Sequence, residues 1–109
     1  MRCLLKVSMP VDSGNAAIVN GSLGKTIESI LGDLKPEAAY FAEDHGQRTG
    51  FIFFDLKDPS QIPAVAEPWF LAFNATVELR PAMNLEDLKK AAPGIEHAVK
   101  NYRRKQEAA

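Results

Sequence analysis

The stretch Thr49–Leu56, TGFIFFDL, limits the possible folds more than any other part of the chain. It is apolar at Phe51, Ile52, Phe53, Phe54 and Leu56. A strand sends alternate side chains to opposite faces, so this strand is apolar on both and must be covered on both. The polar turn Glu43-Asp44-His45-Gly46-Gln47-Arg48 joins it to a preceding β-rich run that begins near Lys35. Two such runs around such a turn predict a β-hairpin, with strands at about 37–43 and 48–56.

The rest of the chain supplies elements to place around that hairpin. Arg2–Met9 predicts a first strand, with Cys3, Leu5, Val7 and Met9 on one face and Arg2, Leu4, Lys6 and Ser8 on the other; Pro10 ends it. A helix follows, with Asp12 or Ser13 as N-cap and a buried stripe of Ala16, Val19, Leu23, Ile27, Ile30 and Leu31. Gly32 suits the left-handed position past its end, while Gly21 and Gly24 weaken it and imply close approach to the sheet or a bend. Asp58-Pro59-Ser60-Gln61 opens a second helix, apolar at Ile62, Val65, Ala66, Trp69 and Phe70, which Pro68 should bend or end. Phe73–Arg80 alternates as a fourth strand closed by Pro81. Asn84 caps a short helix, Leu85–Ala91, broken by Pro93-Gly94. A last helix from Ile95 carries Ile95, Val99 and Tyr102 on one side and frays from Arg103 to Ala109.

The order β-α-β-β-α-β is that of the split βαβ, ferredoxin-like unit. With right-handed crossovers it gives an α+β fold: a four-stranded antiparallel sheet of order 4-1-3-2, helices on one face and C-terminal helices appended. Residues 1–83 form the ferredoxin-like part and 84–109 a helical extension of the same domain. In this element order, the doubly apolar third strand and the Glu67-Pro68-Trp69 helix end, the chain resembles the dimeric α+β barrel superfamily over residues 2 to 81. It is most similar to small bacterial proteins of no assigned function. The resemblance implies a homodimer. The superfamily also holds cofactor-independent monooxygenases, muconolactone isomerases and haem-binding members, and fold analogy does not choose among them.

Composition works mainly by exclusion. At 109 residues the chain has one-domain size and can bury a core without disulfides or metal. A net charge of −1 argues against a general nucleic-acid or membrane-surface binder. The single cysteine, Cys3, has no internal partner and reads as a buried, inert thiol. No run approaches the ~18 apolar residues of a membrane span, and Met1–Pro10 lacks a signal-peptide core, so a cytoplasmic protein is expected. Gly24-Lys25-Thr26 is not a phosphate loop, since Val19 stands where the earlier glycine belongs. Two distant histidines without a second ligand at helical spacing give no zinc site, and no cofactor is expected.

No motif fixes a reaction, but the topology gathers polar residues at one rim. The end of strand one (Ser8, Met9), the hairpin turn and the start of strand four meet there, beside the start of helix one. The free amides of that helix favour a nearby anion. Six residues are therefore candidates for ligand binding: Tyr40, His45, Arg48, Trp69, Phe70 and Asn74. His45 could act as a base oriented by Asp44 or Glu43, against the plainer reading of a solvated turn residue. Arg48 could clamp a carboxylate or pair across the hairpin with Glu43. Tyr40 could donate to a ligand or sit half-buried in its strand. Trp69 could line an aromatic pocket or simply pack in the core. His97 reads as exposed, and the basic run Lys100, Arg103, Arg104, Lys105 as a solvated helix end.

The expected function is small-molecule binding in a pocket between sheet and helices, with a non-catalytic dimeric module, or oxidation or isomerisation of small aromatic compounds, as alternatives. The expected assembly is a homodimer through the uncovered sheet face, which holds Lys6, Thr76, Glu78 and Arg80; in a closed barrel its charges would have to pair, Lys6 or Arg80 with Glu78, or line a wet interior. Alternatively the Ile95–Tyr102 helix folds back over its own sheet.

Overall fold

The computed structural model describes residues 1–104. Its elements are β1 (Arg2–Met9), α1 (Val11–Val19), α2 (Leu23–Leu34), β2 (Ala38–Asp44), β3 (Gln47–Asp55), a 3-10 turn (Pro59–Gln61) leading into α3 (Ile62–Phe73), β4 (Thr76–Pro81), α4 (Leu85–Lys90) and α5 (Ala92–Tyr102). The fraying expected from Lys105 to Ala109 lies outside the described residues. All neighbouring strands pair antiparallel in one open sheet, β2-β3-β1-β4, which is the expected order read from its other edge. The arrangement is compatible with a ferredoxin-like fold.

Register divides the sheet into two faces. Leu5 stands opposite Ile52 and Leu79, and Val7 opposite Gly50 and Val77. On this face Cys3, Leu5, Val7, Met9, Ile52 and Phe54 are buried against Val65, Trp69 and Phe73 of α3 and Ala17 of α1. Each large side chain so buried contributes about 1.5–3 kcal/mol. On the other face Leu4 stands opposite Phe53 and Arg80, and Lys6 opposite Phe51 and Glu78. Its charges are paired: Lys6 Nζ lies 2.5 Å from Asp44 and 3.5 Å from Glu78, and Arg80 lies 2.9 Å from Glu78. Asp44 holds the Lys6 ammonium above its ordinary pKa, and Lys6 holds the Asp44 carboxyl below its own.

Several local expectations are corrected. The first helix is two helices. Gly21 takes φ +77°, and the amides of Ser22 and Gly21 bond back to Ala17 and Ile18, a Schellman stop for α1. Val19 is consequently exposed, whereas Leu23, Ile27, Ile30, Leu31 and Leu34 of α2 pack against the core. Lys35, not Gly32, is the left-handed residue ending α2, and Gly24 approaches nothing within 4 Å. Neither Asp12 nor Ser13 is the N-cap of α1, because Pro10 is. The Ser13 hydroxyl instead donates to the carbonyls of Phe73 and Pro10 (2.6 and 3.1 Å), tying α1 to the end of α3.

Pro68 does not end α3, which continues to Phe73; the carbonyl deprived of a donor belongs to exposed Ala64. Phe73 therefore closes a helix rather than opening a strand, with Asn74 (φ 51°) as the left-handed cap. Pro93 and Gly94 lie in the first turn of α5, which starts at Ala92 rather than Ile95.

The C-terminal helix does not cover its own sheet. No residue of α4 or α5 is buried, and Ile95, Val99 and Tyr102 are all exposed. The radius of gyration, 18.6 Å, exceeds the roughly 13 Å of a compact chain this long, and the longest dimension is 62 Å.

Candidate functional site

The last residues of β1 set the site. Met9 stands opposite Arg48, which stands opposite Glu43, so all three project to the helix side at the hairpin end. One residue, Pro10, separates Met9 from α1, which keeps the start of that helix at the same rim. Between sheet and helices there lies a cavity of about 560 Å3. Val7 and Met9 form its floor, Leu23 and Ile27 of α2 and Trp69 of α3 its roof, and Phe41 its outer wall. Glu43, Gly46, Arg48 and Gly50 complete the hairpin side, and Val11 the side toward α1.

Two glycines shape this space. At Gly50 an added Cβ would meet the Phe41 ring at 3.3 Å, so the ring lies across a strand position that carries no side chain. At Gly14, buried in the first half of α1, an added Cβ would lie 2.7 Å from Arg48 Nη1. The missing methyl group is the seat of the guanidinium. Arg48 Nη2 donates to Asn15 Oδ1 at 3.0 Å. Glu43, its cross-strand neighbour, instead accepts the Gly46 amide at 3.1 Å. Among the described residues no carboxylate lies within ion-pair distance of Arg48.

Trp69 is both core and wall. It is 1% exposed, its ring centre lies 6.2 Å from that of Phe73, and it lines the cavity. Its indole Nε1 is the one buried side-chain polar atom without a partner among the described residues.

The other candidates lie apart from the cavity. His45 sits at the hairpin tip with φ 52°, its side chain 92% exposed, and its Nδ1 lies 3.1 Å from Asp44. Tyr40, opposite Phe51, belongs to the open sheet face and is 67% exposed. Phe70 is exposed on the outer side of α3, and Asn74 is the exposed cap of that helix. The cavity thus joins Arg48 and Trp69 only. Sequence reasoning missed Gly14, Asn15, Phe41 and Gly50. Gly50 carried a usable signal, since a glycine inside an apolar strand marks close approach of another group.

A smaller cavity of about 340 Å3 opens at the opposite rim, beside Asp55 and Lys57. Asp55 is engaged there already: Lys57 first, then the amino group of Met1, holds its carboxyl down to about 2. No group of three or more histidine, cysteine, aspartate or glutamate side chains able to hold a metal occurs among the described residues. No helix there is long and apolar enough to cross a membrane. Neither the protein-family models nor the curated proteins searched contain a match to this chain.

Proposed function

We propose that the chain is a cytoplasmic small-molecule binding protein that takes a largely apolar ligand between β-sheet and helices and works as a homodimer. The observation that carries the reading is the cavity of about 560 Å3, walled by Val7, Met9, Leu23, Ile27, Phe41 and Trp69. Its size and apolar lining with a few polar groups are those of small-ligand sites in general. Binding is favoured over turnover because, among the described residues, Glu43 is the one carboxylate on the wall, and it is held by the Gly46 amide. His45 and Tyr40 lie outside.

The dimer is supported by the open sheet face, where Leu4, Phe51 and Phe53 surround the Lys6 ion pairs while Tyr40 stands exposed. The resemblance to dimeric α+β barrels supports the same assembly. Several hundred Å2 of such surface is worth many kcal/mol at about 25 cal/mol per Å2, against the entropic cost of association.

Calorimetric titration with mono- and bicyclic aromatic compounds, neutral and anionic, tests the binding. At least one should bind saturably with one site per chain and raise the thermal midpoint. Ile27→Trp, which fills the cavity from α2, should abolish that binding while leaving the fold intact. If no compound binds, or if Ile27→Trp binds them unchanged, the cavity reading fails. A non-catalytic interaction module would then be the better reading.

A further inference from the structure

Resting on that cavity reading, we infer that the ligand carries a carboxylate, seated on the Arg48 guanidinium beside the first turn of α1, with its apolar body between Phe41 and Trp69. Among the described residues Arg48 is left with most of its donors unused. A guanidinium offers five N–H donors, and this one makes a single side-chain hydrogen bond among the described residues, to neutral Asn15. Half-buried at a cavity wall, it has neither a carboxylate partner among the described residues nor full hydration.

Its position compounds the need. Arg48 Nη1 packs at Gly14, where α1 presents the positive end of its dipole. The amides of Val11 and Asp12 have no acceptor among the described residues, and Val11 lines the same cavity. Asp12 already supplies a carboxylate to that helix end, accepting the Ser13 amide at 2.8 Å, so Arg48 is the group that a bound anion would serve.

Glu43 limits the kind of anion. Its carboxylate also lines the cavity, so the net local charge suits a monoanion rather than a phosphate dianion. The Gly46 amide engages Glu43 within the turn, which leaves the planar fork of Arg48 available for bidentate contact with a planar carboxylate. The apolar walls on the other side take an aromatic or alkyl body. The ligand class is therefore a small aryl or alkyl carboxylate.

The test compares 2-naphthoate with 2-naphthylmethanol, which share a body and differ in charge, by calorimetry near neutral pH. The acid should bind at least about tenfold tighter than the alcohol. Arg48→Gln should cost the acid about tenfold and change the alcohol less than about twofold. Glu43→Gln should tighten the acid by about twofold or more. An alcohol too weak to measure beside a measurable acid has the same meaning as the expected ratio. If wild type binds alcohol and acid equally, the carboxylate inference is overturned while the cavity reading stands. If neither binds and the wider panel also fails, both are overturned. Should Arg48→Gln not fold, the wild-type ratio in about 10 mM and about 500 mM KCl decides. A ratio that falls with salt supports the inference, and a constant ratio overturns it.

Discussion

Gly14→Ala is the most informative single substitution, because two effects of similar size oppose each other in it. The new Cβ would lie 2.7 Å from Arg48 Nη1 but 3.5 Å from Cδ and 3.6 Å from Cζ, so only the tip of a flexible side chain is in the way. Ordinary contact requires the guanidinium to withdraw by about 0.7 Å. That stretches the 3.0 Å bond to Asn15 past its useful range. A partly exposed hydrogen bond of this kind is worth about 0.5–1.5 kcal/mol. Against it stands the helix-propensity gain of alanine over glycine, about 1 kcal/mol. The net change in wild type should therefore be close to zero. In an Arg48→Ala background the obstruction is gone, and the full gain of about 1 kcal/mol should appear. Urea unfolding followed by the single tryptophan, Trp69, measures both, since 1 kcal/mol moves the midpoint by about 0.3–1 M. Equal increments in the two backgrounds would refute the claim that Gly14 exists to seat Arg48.

Phe54→Glu and Phe53→Glu should separate the two sheet faces: Phe54 is 2% exposed under the helices, so its replacement should abolish cooperative unfolding by circular dichroism. Phe53→Glu, on the open face, should keep the fold and lower the mass seen by sedimentation; a dimer as tight as wild type would count against sheet-to-sheet assembly. His45→Asn should raise stability by a few tenths of a kcal/mol, because asparagine tolerates the left-handed φ of 52° better, and should leave ligand affinity unchanged. Asp55 titrates at about 2 when folded, below its ordinary 3.8, so its contribution is whole above pH 3.8 and lost as pH falls through about 2. Asp44 acts in the same sense through Lys6. Asp55→Asn should accordingly flatten the fall in thermal midpoint across that window, and an unchanged slope would remove Asp55 from the account. Asn84→Ala should cost α4 about 1 kcal/mol by losing the 2.8 Å bond from the Asp87 amide, read as faster amide exchange confined to α4.

Strand order and facing were legible because alternation is a local signal that burial enforces: Arg2–Met9 alternates between half-buried and buried at every residue. The break at Gly21 and the extension of α3 to Phe73 were not. Both turn on single left-handed residues, Gly21 and Asn74, whose backbone angles are chosen by how the flanking helices dock. Phe73, Ala75, Val77 and Leu79 point to one face whether Phe73 ends a helix or starts a strand, so periodicity could not decide between them. At the site, Arg48 and Trp69 were legible by residue type and rim position. Gly14 was not, since its role consists of an absent methyl group against a side chain thirty-four positions away. The hairpin tip drew attention to His45 because it titrates near neutral pH, yet a left-handed turn residue is directed by its backbone toward solvent.

The place of β1 in the sheet has a consequence in time. It is an inner strand, and its two neighbours are β3 and β4, the latter beginning only at Thr76. A ribosome adding about 5–20 residues per second needs about 4–14 s to travel from the end of β1 to the end of β4. During that interval Leu4, Leu5 and Val7 lie on a strand with at least one unpaired edge, although in the finished molecule that strand has none. The central strand is thus the first made and the last to be enclosed on both sides. Nascent chains stalled before β4 should be the form of this protein that chaperones hold longest.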